Sequence, residues 1–84
     1  MSLQLQPVRV GTDSPDEEGQ LVFADGHLVA VLVHLSDEYE ADAGKWFLEA
    51  GFGRVDHPNA PKFDSLDEAQ TWIARRLAST LVLG

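Results

Sequence analysis

Eighty-four residues make one small domain, just above the ~70–80 residues below which a single core rarely supplies more than ~3–5 kcal/mol without added support. The chain has no cysteine, which excludes disulfides and thiolate metal sites and leaves self-association as the available support. Fourteen acidic against six basic residues give a formal charge of −8, and Arg9, Lys45, Arg54 and Lys62 are scattered, so the clustered cations that phosphate backbones require are missing. Nucleic acid is therefore not an expected partner.

The amino-terminal residues have neither a basic segment nor a secretory-type apolar stretch, and no run approaches the ~18 apolar residues of a membrane span. The expectation is a soluble, cytoplasmic chain that does not bind membranes. Leu3, Leu5, Val8 and Val10 suggest a first strand near residues 3 to 10, which Pro7 restricts to a sheet edge. Eight of the acids fall in two short segments, Asp13 to Glu18 and Asp37 to Asp42, which read as loops. Neither has the alternating ligands, sixth-position glycine and twelfth-position glutamate of an EF-hand, so both read as solvated connections.

The strongest local signal is Leu21 to Val29, where Asp25-Gly26 separates two strand-like runs. Both residues tolerate positive φ, which predicts a two-residue type I′ hairpin pairing Ala24 with His27, Phe23 with Leu28, Val22 with Val29 and Leu21 with Ala30. Unbroken alternation then places Leu21, Phe23, Leu28, Ala30, Leu32 and His34 on one face. Val22, Ala24, His27, Val29, Val31, Val33 and Leu35 fall on the other. The strand from residue 27 to 35 is apolar on both faces, as a strand buried from both sides would be.

A further strand, 45 to 52, should pair antiparallel with it, Leu35 opposite Lys45. That register unites Trp46, Leu48, Ala50 and Phe52 with the Leu21/Phe23 face and avoids burying Lys45 and Glu49. Residues Gly53 to Lys62, with Pro58, Asn59 and Pro61, read as a loop. Ser65-Leu66-Asp67-Glu68 is a capping box, and Leu66, Ala69, Trp72, Ile73 and Leu77 form the apolar stripe of a helix over about 66 to 79. Asp67 and Glu68 at its start and Arg75-Arg76 near its end suit the helix dipole. Such a helix covers one sheet face and leaves the second without a partner, unless Leu3 to Val10 or Leu81 to Leu83 folds over it.

No arrangement of reactive side chains rises to a catalytic signature. His27 and His34 lie on opposite faces of one strand and His57 lies in a proline-containing loop, so no metal-ligand spacing links them. A pairing of His27 or Lys45 with Glu49 is an acid–base candidate, but the same residues read more simply as polar punctuation around an apolar patch. There is no Gly-x-Ser-x-Gly elbow, and Gly51-Phe52-Gly53 is too short for a phosphate loop. Trp46, Phe52 and Trp72 fit a core better than a base-stacking platform.

The sequence thus describes residues 1–84 as a single α+β domain, a three- to four-stranded antiparallel meander with one C-terminal helix on one face, in the order β-β-β-β-α. No catalytic, cofactor or metal residue is expected. The expected role is a self-associating protein-interaction or accessory module, most simply a homodimer, with Val22, Val29, Val31, Val33, Leu35 and Phe47 as interface. The alternative is a small-molecule-binding protein or enzyme with its pocket at that face or between subunits.

Overall fold

The computed structural model describes residues 2–11, 18–36 and 41–78; Leu81 to Leu83, offered as cover for the second sheet face, and most of the two acidic segments lie outside them. Five antiparallel strands form a meander in chain order: β1 (Leu3–Arg9), β2 (Glu18–Ala24), β3 (His27–His34), β4 (Trp46–Gly51) and β5 (Lys62–Phe63), followed by helix α1 (Leu66–Ala78). The first four strands and the helix lie within two residues of their expected bounds. The fifth strand is not among the expected ones, and its first residue, Lys62, closes the segment expected as loop. It is only two residues long, held by the pairs Trp46–Phe63 and Phe47–Lys62 and by a bond from the Leu48 N–H to the Pro61 carbonyl, too short for any periodic pattern to show. Within the same segment Gly53–Val55 forms a 3-10 turn.

The hairpin has its expected turn, with φ of 50° at Asp25 and 85° at Gly26, and its first two pairs, Ala24–His27 and Phe23–Leu28. The register then slips. Val22 pairs with Ala30 and Leu21 with Val31, so Val29 is the extra residue of a β-bulge. Because cross-strand partners share a face, this one residue exchanges the faces of β2 relative to the rest of β3. Val22 and Ala24, not Leu21 and Phe23, join Ala30 and Leu32. A second bulge at Glu49 does the same to β4: Leu48 pairs with Leu32 as expected, but Ala50 pairs with Val31 and turns away from Trp46 and Leu48. Phe52, expected beside them in the core, is 47% exposed.

The core lies between the sheet and α1. Val22, Ala24, Val29, Ala30, Leu32, Trp46, Leu48, Val55, Phe63, Ala69 and Ile73 form one buried cluster, with Leu3, Leu5, Leu66, Trp72 and Leu77 packed at its margin. The helix enters through the expected cap: the Glu68 N–H donates to Ser65 Oγ at 3.1 Å. Its reciprocal half reaches one residue further back, Glu68 Oε2 accepting from the Asp64 N–H at 2.7 Å. Arg76, near the other end, donates from Nε to the Arg54 carbonyl at 3.0 Å and stands 5.6 Å from the Trp72 ring centre, tying α1 to the 3-10 turn.

Pro7 sits on the edge strand, as expected, and its phase is informative. The Asp25 N–H donates to the Ser2 carbonyl, so in the β1–β2 ladder even-numbered β1 residues face the partner strand and odd-numbered ones face outward. Pro7 therefore costs no ladder bond. It removes one donor from the free edge, a recognised means of blunting strand addition.

Candidate functional site

Opposite α1 the sheet presents a second apolar face. Starting from the pairs Phe23–Leu28, Leu21–Val31, Val33–Phe47 and Val31–Ala50, alternation collects Val8 from β1, Leu21 and Phe23 from β2, Leu28, Val31 and Val33 from β3, and Phe47 and Ala50 from β4. Gln4 and Gln6 continue it at the β1 edge. From β1 through β3 no described side chain on this face is charged, in a chain of net charge −8. The face is driest at one end. Val33 is 2% and Leu35 6% exposed, and Gly19, opposite Val33, leaves the space into which the Val10 and Val8 methyl groups project. Toward the hairpin turn it opens: Leu28 is 38% exposed, and Leu21, Phe23, Val31, Phe47 and Ala50 are half-buried.

Six residues were expected to form this surface, and the structure divides them. Val31, Val33 and Phe47 lie together on the helix-free face, and Leu35 continues their alternation. Val22, fully buried, and Val29, the bulge residue, belong to the core cluster beneath α1. Their places are taken by Leu21, Phe23 and Leu28, which unbroken alternation had put against the helix. Only a signal for the bulge could have found them. Val29 stands in a run of apolar residues without the glycine that often marks one.

At its β4–β5 margin the helix-free face is charged, because Lys62 pairs with Phe47 and Lys45 stands opposite Leu35, while the histidines lie off it. His34 stacks on Trp46, ring centres 4.4 Å apart and planes 11° from parallel, with Nδ1 3.5 Å from Glu18 Oε2 and Nε2 3.1 Å from the Gly44 carbonyl. These contacts hold His34 at the rim of the core, at the end of β3. His57 contacts Trp72 edge-on and bonds locally to Asn59, while His27 is exposed beside the turn. Among the described residues no three potential ligands converge on a point that could hold a metal ion. An open groove beside α1 is lined by Phe63, Asp67, Glu68, Thr71, Trp72 and Arg75, and by none of His27, Lys45 or Glu49.

Lys45 is engaged instead in an ion-pair network. Lys62 Nζ donates to Asp42 Oδ2 at 2.8 Å, and Lys45 Nζ lies 3.4 Å from Asp42 Oδ1 and 3.8 Å from Asp64 Oδ1. The Lys62 hydrogen bond, with the Lys62 and Lys45 charges, holds the Asp42 carboxyl below its ordinary range against a smaller opposing effect of desolvation. A lowered folded-state pKa gives stability that is present above the unfolded value of ~3.9 and lost as pH falls through the folded one. Asp42→Asn is accordingly expected to lower the urea midpoint slightly at pH 6. The two unfolding curves should converge near pH 2, and a gap that persists there would show that the aspartate acts through packing.

No family model, curated protein or solved structure matches this chain. Among the described residues no helix is long and apolar enough to cross a membrane.

Proposed function

We propose that this chain is a protein-interaction or accessory module that works through the helix-free face of its sheet. One observation carries the reading: Leu21, Phe23, Leu28, Val31, Phe47 and Ala50 form a contiguous, partly exposed apolar surface on a domain whose core is already complete on the other side. Side chains of this kind, when clustered and uncharged, characterise the central parts of protein interfaces. A catalytic reading has no comparable support, since the histidines and lysines of the described residues are occupied in local contacts or stand apart.

The test is positional. A photo-reactive residue at Leu28 is expected to give a discrete cross-linked product when irradiated in the cells that make the protein, and Val31→Asp should abolish it. The same group at Thr71, on the exposed side of α1, should give none. Equal labelling from both positions, or none from Leu28, would overturn the proposal.

A further inference from the structure

We draw no further inference here: the strongest candidate, the partly exposed apolar patch of Leu21, Phe23, Leu28, Val31, Phe47 and Ala50 on the helix-free face of the sheet, is the surface already described, and nothing in the structure shows what covers it.

Discussion

Leu32→Ala is expected to destabilise the domain by about 3–5 kcal/mol, the range for a fully buried leucine whose surroundings close only partly over the lost atoms. Leu32 is fully buried at the centre of the sheet, opposite Leu48 on β4 and Gln20 on β2 and in one cluster with Ile73 of α1. An 84-residue domain has a total stability of roughly 4–12 kcal/mol, so the loss takes about a quarter of it or more and unfolds a domain at the lower end of that range. Urea unfolding followed by circular dichroism measures the loss. The neighbouring pair on β2 gives a sharper comparison. Val22→Ala, in the core, should cost about 2–3 kcal/mol, whereas Leu21→Ala, which removes more atoms from the half-buried opposite face, should cost less than ~1 kcal/mol. The reverse order would mean that the strand faces are those of the unbulged hairpin.

Gly51→Ala should be nearly as damaging, for a reason of space. A methyl group on Gly51 would lie 2.5 Å from the Val55 carbonyl oxygen, 2.8 Å from its carbon and 3.0 Å from the Asp56 nitrogen. All three are backbone atoms, so no side chain can swing aside. The 3-10 turn must move instead, and it carries the fully buried Val55 and the Arg54 carbonyl that accepts from Arg76. Loss of that packing predicts about 2–4 kcal/mol of destabilisation. Gly11→Ala, where the added methyl meets nothing within 4 Å, is the matched substitution and should change stability by less than ~0.5 kcal/mol. Equal unfolding midpoints for the two variants would refute the close approach of β4 to the turn.

These expectations also separate folding from association. Variants on the core side, Leu32 and Val22, should lose stability. Leu28→Asp, on the exposed opposite side, should leave stability nearly unchanged and act only on contacts made by that face. The smallness of this domain suggests a need for outside support, yet one helix and a five-stranded sheet enclose a continuous core within the single chain.

What the sequence determined by itself is local in origin. Asp25-Gly26 specified the hairpin turn through two positive φ angles, and Ser65 with Glu68 marked the start of α1 through the amides that a helix leaves unpaired. Pro7 placed β1 at an edge because it has no N–H to give, and a single amphipathic helix implied one covered sheet face and one that no helix among the described residues covers. Which residues stand on that second face was decided only in the tertiary structure. With a side-chain period of two, one extra residue reverses every assignment beyond it, and the bulges at Val29 and Glu49 did so in β3 and β4. Both are set by how three strands fit together under α1, a non-local balance in which Val29 and Ala30 both side with the helix while Leu21 and Phe23 turn outward. β5 was hidden for a related reason. Two residues have no periodicity, and Lys62 and Phe63 become a strand only because β4 lies beside them.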